Sequence, residues 1–350
     1  MSLDHRGRGK AKGRGRRAAP LHGAGHGMVA SGELRNAGPG PIPLTSQRTT
    51  DSLRARASAP QTARAAVDSP RNADPRKVPA GPARAVLAPP LSARSPVIGM
   101  VHLSPLPGSP GFGGRLETVL ERAAADARAL QAGGVDALMF ENFGDAPFFP
   151  EHVPAETIAA ITRVIADLVP VLRVPFGVNV LRNDARAALG IAAATGAAFV
   201  RINVHVGAAV TDQGPIVGRA HETLRERARL CPGVRLWCDC RVKHSAPLAP
   251  RPLGEEIEDL VERGLADAVI LTGPATGKPA SIADLAEARQ AHPGTPFLVG
   301  SGAARGNLRE LFPLADGFIV GTTFKTRGRV DAARVRAFVQ DVRMLRGRAR

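Results

Sequence analysis

Eight short apolar runs alternate with stretches of helical periodicity from residue 97 onward, and this alternation constrains the fold more than any other feature of the chain. Each run has about the length of a strand, and all but the last pair are separated by a stretch that predicts a helix. Eight strand–helix units in roughly 250 residues are typical of a closed TIM-type (β/α)8 barrel in the α/β class. The predicted strands are 97–103, 137–143, 175–181, 199–205, 234–240, 268–273, 296–302 and 317–323.

The junctions and helical stripes agree with this prediction. Small or glycine residues at 133–137 and 264–268 turn the chain from a helix into an apolar strand. Apolar residues recur at helical spacing, which predicts helix faces that pack on the barrel. These residues are Leu116, Val119, Leu120, Ala123, Ala127 and Leu130 in the first helix and Ile158, Ile161, Ile165 and Leu168 in the second.

Alternation along the strands separates an apolar face from an unexpectedly polar one. In the fourth strand, Arg201, Asn203 and His205 share one face, and the other face is apolar. Parallel barrels are normally apolar on both faces of each strand, so inward polar residues require a reason, although one or two of them could be hydrogen-bonded structural residues. Barrel enzymes keep their chemistry at the C-terminal ends of the strands. The polar residues predicted to meet there are His102, Glu141, Asn142, Asn179, Asn203, His205, Asp239 and Thr272.

Glycine-containing ends on the last two strands predict a phosphate site. Small residues let backbone N–H groups approach an anion, and many barrels bind phosphate after strands seven and eight. Lys325 could add a positive charge, whereas ordinary tight turns are the alternative explanation. The residues proposed to bind phosphate are Gly300, Ser301, Gly302, Gly321 and Thr322.

The segment after the fifth strand offers acid and base groups close together. Asp239, Lys243 and His244 could supply a proton-transfer pair, and a solvated loop is the alternative. Cys238 and Cys240 fall on the helix-facing side of the strand, which favours burial over zinc binding.

Two polar loops and a set of carboxylates extend this prediction. Segments 179–184 and 210–214 follow strand ends and are predicted to be substrate-covering loops that contribute Arg182 and Asp212. Asp184 has an equal claim to be the N-cap of the next helix. No cofactor and no metal ligand set are predicted, although a divalent cation on carboxylates such as Glu141, Asp239 or Asp145 stays open.

Residues 1–95 differ in composition from the rest of the chain. They hold 17 Lys and Arg against 5 Asp and Glu, a net charge of +12, which leaves +4 of the total +16 for the rest. Without an apolar period this segment is predicted to be a disordered Arg/Gly/Pro/Ala-rich extension of a barrel domain at 96–350. Binding of nucleic acid or another polyanion, targeting, and an extension without function stay open. We favour the last, because no aromatic residues interleave the basic ones.

The remaining composition bounds the location. No run of about 18 apolar residues exists, so no transmembrane segment is predicted, and no secretory core follows the basic start. The 3 cysteines, an odd number, fit a reducing compartment. We therefore expect a cytoplasmic protein, with the formation of a homo-oligomer left open.

Eight motifs in order resemble the BtpA/SgcQ family. They lie at 97–110, 141–147, 177–184, 201–205, 211–214, 243–247, 272–277 and 299–302, and the resemblance covers about residues 96–345. One departure is Arg241, which stands two residues after the fifth-strand Asp where the family usually has His.

The resemblance implies a ribulose-phosphate-binding type of barrel. It also implies two roles described for branches of the family: photosystem I biogenesis or stabilisation, and a candidate nucleoside triphosphatase activity. No Walker-type phosphate loop occurs in the sequence.

The sequence as a whole favours an enzyme that acts by acid/base chemistry on a small phosphorylated metabolite, of the isomerase, epimerase or lyase type. Either Asp239 with Lys243 or Glu141 with His205 is expected to exchange protons, while Asn179 and Asn203 orient the substrate or stabilise an oxyanion. The alternative from another class is a non-enzymatic assembly factor. That alternative predicts a tolerant barrel mouth and a sensitive exposed face.

Overall fold

Eight parallel strands close into a barrel in the computed structural model, which describes residues 95–273, 277 and 280–348. The first strand pairs with the eighth and the second, so the sheet has no free edge. The strands are β1 Val97–His102, β2 Ala137–Glu141, β3 Phe176–Asn179, β4 Phe199–Ile202, β5 Arg235–Cys240, β6 Ala268–Leu271, β7 Phe297–Val299 and β8 Gly317–Val320. The predicted barrel is confirmed, and the prediction of a disordered basic extension lies outside the described residues.

A helix follows each strand, including a short one between the last two strands, where the sequence predicted none. The helices are α1 Leu116–Gly133, α2 Ala155–Leu168, α3 Ala185–Thr195, α4 Ala220–Leu230, α5 Leu253–Glu258, α6 Ile282–Ala291, α7 Leu308–Leu311 and α8 Ala332–Arg348. A π-helical turn, Asp259–Arg263, extends α5, and 3-10 turns cover Val169–Val171 and Thr322–Phe324. No helix in the described part is long and apolar enough to cross a membrane.

Local sequence signals set the helix boundaries. Gly134 and Gly196 follow α1 and α3 in the left-handed conformation, where glycine has no steric penalty. Asp184 caps α3, because one carboxylate oxygen accepts from the Ala187 N–H at 2.9 Å and the other from the Val153 N–H at 2.9 Å. The N-cap interpretation of Asp184 is therefore confirmed.

Two apolar layers form the core. The inner layer fills the barrel with side chains such as Met139, Trp237 and Ile319, and Phe199 stacks on Trp237 with ring centroids 3.7 Å apart. The outer layer lies between strands and helices and includes Cys238 and Cys240, which are buried as predicted. The inner layer stops below the C-terminal ends of the strands, where polar residues replace it.

A small antiparallel sheet stands beside the barrel mouth, and the sequence did not predict it. It joins Ala208–Thr211 to Gly214–Val217 and to Ser245–Pro247. The segment predicted as a covering loop at 210–214 is thus the turn of a hairpin, with Gly214 at φ +91°. A second short hairpin pairs Lys325–Thr326 with Arg329–Val330 after β8.

Candidate functional site

The polar strand ends form two hydrogen-bonded groups inside the barrel mouth. Residues that share a face with the inner apolar layer point into the barrel, because strand side chains alternate. That face includes His102, Glu141, Asn179, Arg201 and Asp239, and all but His102 are buried. The mouth therefore contains ionisable groups shielded from solvent, where charge interactions are strong.

Glu141 is the centre of the first group. Asn179 Nδ2 donates to Glu141 Oε2 at 2.7 Å, and His102 Nε2 lies 3.7 Å from Glu141 Oε1. Burial alone would raise the pKa of the Glu141 carboxyl, but His102, Lys243 and Arg201 nearby, together with the Asn179 hydrogen bond, lower it. Glu141 is accordingly an ionised carboxylate that can accept a proton.

His102 connects Glu141 to a second cation. Lys325 Nζ donates to His102 Nδ1 at 2.6 Å, which leaves the imidazole proton on Nε2, facing Glu141. Burial lowers the pKa of His102 to about 4, with Lys325 and Lys243 adding to the effect. The ring also stacks on Phe143, with centroids 4.5 Å apart. A neutral, fixed imidazole therefore lies between an ammonium group and a carboxylate.

Arg201 and Asp239 form the second group. Arg201 Nε and Nη2 donate to the two carboxylate oxygens of Asp239 at 2.9 and 2.8 Å, and Asn203 Nδ2 donates to Asp239 Oδ2 at 2.8 Å. The side chains of the ion pair are 2% and 0% exposed. With three hydrogen bonds on its two oxygens, Asp239 is held as an acceptor that fixes Arg201.

The two asparagines point their acceptor atoms away from these bonds. Each amide donates to a carboxylate, and the Oδ1 atoms of Asn179 and Asn203 have no partner among the described residues. Both amides therefore orient Glu141 and Asp239, and the oxyanion role expected for them is not what this geometry favours.

Lys243 lies against both groups. Burial lowers the pKa of its amine, and Arg201 and Arg182 add to this effect while Glu141 and Asp239 oppose it. Arg182 Nη2 donates to the Lys243 carbonyl at 2.6 Å and so fixes the backbone of this loop. An amine with a lowered pKa can gain and lose a proton more readily at neutral pH.

Small residues at the ends of β7 and β8 form the wall of the mouth that faces these charged side chains. A Cβ on Gly300 would lie 2.4 Å from Ile270 Cγ2, and one on Gly321 would lie 3.0 Å from His102 Cε1, so both positions need glycine for close packing. Gly302 has φ +69°, which favours glycine. The wall encloses a cavity of about 40 Å³ whose lining includes Gly300, Ser301, Gly302, Gly321, Thr322, His102, Glu141, Arg201 and Lys243.

A much larger cavity of about 700 Å³ lies on the side of the mouth below the small antiparallel sheet. Asn203, Asp239 and Thr272 contribute to it from the strand ends. Ala208 contributes from the sheet, and Leu248 directly follows the sheet. Thr272 also donates to the Arg241 carbonyl at 3.3 Å. The barrel mouth is therefore divided into a small, charged cavity and a large one.

Besides Arg182, four of the predicted site residues belong to neither of the two hydrogen-bonded groups and line neither cavity. Asn142 Oδ1 accepts from Leu181 N at 2.7 Å and its amide donates to Asp145, so it holds a loop together. Asp212 is exposed in the hairpin turn, and His244 is exposed beside Lys243 without lining either cavity. The fourth is His205.

The imidazole of His205 is 1% exposed, and its Nε2 lies 2.8 Å from the carbonyl oxygen of Gly264, after α5. Because β4 ends at Ile202, the alternation that predicted an inward side chain does not extend to residue 205. Burial lowers the pKa of His205, so the ring is neutral and its Nε2 donates to Gly264. The expected pairing of Glu141 with His205 is not formed.

Arg201 belongs to the second hydrogen-bonded group, but the sequence-based set of site residues left it out. Its inward position was visible in the alternation of the fourth strand, but an arginine inside a barrel has no motif of its own. Lys325 was expected only as an added charge for phosphate, and its contact with His102 spans 223 positions in sequence. Such a long-range contact leaves no local sequence signal.

No group of three or more metal-ligating His, Cys, Asp or Glu side chains converges in the described part of the chain. The three carboxylates considered for a divalent cation have separate partners. Glu141 is bonded to Asn179, Asp239 to Arg201, and Asp145 Oδ1 accepts from Leu106 N at 2.8 Å. These residues do not form a shared cation site.

Comparison with known sequences gives one family. The sequence profile of the BtpA family matches residues 93–344. The Synechocystis protein named photosystem I biogenesis protein BtpA is 46% identical over 250 residues, which cover 70% of this chain and 87% of that protein. The sgc region protein SgcQ of Escherichia coli K12 is 36% identical over 257 residues, 71% of this chain and 95% of that protein.

Two solved structures align with this chain at low sequence identity. Phosphoribosyl anthranilate isomerase from Thermococcus kodakaraensis aligns with a TM-score of 0.46 at 14% identity, covering 71% of this chain and 99% of that chain. A 7,8-dihydropteroate synthase from Vibrio fischeri aligns with a TM-score of 0.47 at 18% identity, covering 73% and 94%.

Proposed function

This chain belongs to the BtpA family, and we propose that its barrel mouth binds a small phosphorylated metabolite and transfers protons on it. The observation that carries the proposal is the small cavity, in which a wall of small residues faces an ionised carboxylate and two cations, Glu141, Arg201 and Lys243. An anion-binding wall and a proton-transfer pair in one enclosed space are what such chemistry requires.

Charge and shape support a phosphate at the ends of β7 and β8. The segment from Gly300 to Gly302 and the pair Gly321 and Thr322 bring backbone close to the cavity, since no bulky side chain intervenes. Arg201 and Lys243 line the same space, and Lys325 lies behind His102. These cations compensate the charge of a bound phosphate, and Arg201 retains N–H groups beyond the two given to Asp239.

Glu141 and Lys243 are the proposed proton-transfer pair. Glu141 is ionised and oriented by Asn179, and the Lys243 amine has a lowered pKa. His102 and Lys325 would compensate charge as Glu141 gains or loses a proton. Asp239, in contrast, is a positioning residue, because its two oxygens already bind Arg201 and Asn203.

The reaction class that this arrangement favours is proton abstraction and return, as in isomerases, epimerases and many lyases. The test is to incubate the full chain with a panel of aldose and ketose phosphates in D₂O and to follow loss of carbon-bound protons by NMR. We expect enzyme-dependent exchange with at least one sugar phosphate. Exchange should fall by about 10²–10⁴-fold in Glu141→Gln, the contribution typical of a general base.

Glu222→Gln is the matched control, because Glu222 is an exposed carboxylate paired with Arg219 at 3.0 Å. This variant should retain the exchange rate of the unmodified protein. If no sugar phosphate exchanges a proton, or if Glu141→Gln exchanges as fast as the control, the proposed chemistry is wrong.

A second candidate function is non-enzymatic assembly of a membrane complex. It is favoured by the 46% identity to a relative named for photosystem I biogenesis. Under this hypothesis, Glu141→Gln would leave the biological role intact, and substitutions on an exposed barrel face would abolish it. Complementation of a strain that lacks its own family member, using variants of each kind, separates the two functions.

A further inference from the structure

The larger cavity differs from the small one in size and in charge, and the proposed chemistry does not use it. Its volume of about 700 Å³ falls in the range of ordinary ligand pockets. Much of its wall is apolar, with Val206, Ala208, Pro247 and Leu248 among the lining residues. It lies between the mouth of the barrel and the small antiparallel sheet.

The two cavities are separated by a wall that consists of a pair of hydrogen-bonded residues at two points. Arg201 lines the small cavity and Asp239 lines the large one, and their side chains are joined by a hydrogen bond of 2.8 Å. Ser301 lines the small cavity and its Oγ accepts from the N–H of Gly273, which lines the large one, at 3.0 Å. Both cavities open at the C-terminal ends of the strands, so a single molecule can reach both over the top of this wall.

The charges of the larger cavity do not suit a second phosphate. Arg241 is bonded to Glu256 at 3.0 Å and Arg251 to Asp259 at 2.5 Å. Asp284 also lines this cavity, so acidic groups exceed basic ones among its described residues. An added anion would meet carboxylates here, whereas an uncharged apolar group would replace water on an apolar wall.

We infer that the larger cavity binds the second part of the substrate, and that this part is an uncharged, largely apolar group such as a heterocyclic or aromatic ring. The inference rests on the proposed function, since the phosphate in the small cavity anchors the molecule. The distance from β7 to β5 is about two strand spacings, or roughly 10 Å. A ribose 5-phosphate that carries a ring spans such a distance.

The test compares ligands that share an anchor. Binding of ribose 5-phosphate and of the four common nucleoside 5′-monophosphates to the full chain is measured by calorimetry. At least one nucleotide should bind tenfold or more tightly than ribose 5-phosphate. Ribulose 1,5-bisphosphate should bind no more tightly than ribulose 5-phosphate, because its second phosphate meets the acidic cavity.

Two variants, Ala208→Trp and Leu248→Ala, test whether the tighter binding of the nucleotide depends on this cavity. Ala208→Trp fills the cavity from the small sheet and should remove the advantage of the nucleotide without weakening ribose 5-phosphate. Val217→Trp is the matched control, because Val217 pairs with Ala208 in register but does not line the cavity. Leu248→Ala, at a position 66% exposed, tests the same wall without burdening the fold and should reduce the advantage at least threefold.

Equal binding of all four nucleotides and ribose 5-phosphate would overturn the inference and leave the proposed function standing. The inference would also be overturned if the nucleotide kept its tighter binding in both Ala208→Trp and Leu248→Ala. Tenfold tighter binding of ribulose 1,5-bisphosphate than of ribulose 5-phosphate would overturn it as well. If no phosphorylated compound binds, the proposed function fails as well, so the two failures are distinguishable.

Discussion

The two halves of the barrel mouth are built in opposite ways. Around the small cavity, Glu141 and Arg201 are buried, Glu141 is hydrogen-bonded to Asn179 and Arg201 to Asp239, and glycines close the wall. Around the large cavity, part of the wall is the small sheet and the residue that follows it, the exposed Leu248. Buried charges require fixed partners, whereas exposed apolar residues can be exchanged at little cost.

This difference teaches where chemistry and selectivity reside. A preorganised group of charges can stabilise a reaction only if it does not reorganise, and packing on strands provides that rigidity. The small sheet is built from connections between strands and helices, which tolerate change. The half of the mouth around the small cavity (the small half) should therefore tolerate substitution poorly. The half around the large cavity (the large half) should tolerate it well.

The largest effect is expected from breaking the buried ion pair. Arg201→Met leaves Asp239 buried without its cation and should lower the free energy of unfolding by about 3–5 kcal/mol in urea titrations. Arg163→Met is the control, because the Arg163–Asp167 pair is exposed to solvent, which screens it, and its loss should change the free energy of unfolding far less. Equal losses in the two variants would contradict the picture of a constrained small half.

The next effect depends on pH. Burial lowers the pKa of His102 to about 4 in the folded state, against 6.5 for an ordinary histidine, so the unfolded chain binds the proton more readily. Stability from the neutral ring is therefore present above pH 6.5 and is lost as pH falls toward 4, by up to about 3 kcal/mol. Unfolding free energies at pH 7 and pH 4 should differ less in His102→Asn than in the unmodified protein. An unchanged difference would show that His102 titrates normally.

A smaller effect is expected from one added methyl group. The Cβ of Gly300→Ala would lie 2.4 Å from Ile270 Cγ2 and 2.8 Å from Thr272 Cγ2, both on β-branched side chains. Thermal and urea unfolding should show a loss of about 1–3 kcal/mol. Gly294→Ala, with nothing within 4 Å of the new Cβ, is the matched control and should leave stability nearly unchanged.

The smallest effect is expected in the large half. Leu248→Ala removes a side chain that is 66% exposed and should change the free energy of unfolding by less than about 0.5 kcal/mol. A loss above about 2 kcal/mol in urea titrations would show that the wall of the larger cavity belongs to the core. The halves of the mouth would then differ less than the structure indicates.

Much of the fold could be predicted from the sequence, because strand and helix periodicities are local. Every strand of the barrel was predicted, but most predicted strands were too long at the mouth: the run 199–205 ends as a strand at Ile202. Polar residues beyond the strand continue its alternating pattern by chance for a few positions. The prediction that both side chains point into the mouth was therefore correct for Asn203 and wrong for His205. The small sheet was missed, since its strands pair across a helix and a barrel strand.

The candidate site was predictable only as a set of strand ends. Alternation placed Glu141, Asn179 and Asp239 at the mouth. It could not show which of the two carboxylates, Glu141 or Asp239, forms an ion pair with an arginine. That depends on the bidentate Arg201–Asp239 contact across two neighbouring strands. Likewise, the partner of His102 arrives from Lys325, beyond the last strand of the barrel.

The most direct test of an anion site in the small half is thermal unfolding of the full chain with increasing inorganic phosphate and sugar phosphates. A ligand at about 100 times its Kd stabilises the folded state by roughly 2.7 kcal/mol, which raises Tm visibly. Gly302→Asp places a carboxylate at the wall, while Gly302→Asn has the same shape without the charge and tolerates the left-handed backbone at φ +69°. We expect phosphate to raise Tm in the unmodified protein and in Gly302→Asn but not in Gly302→Asp. An equal rise in Gly302→Asp, or no rise in the unmodified protein with any phosphorylated compound, would contradict the account.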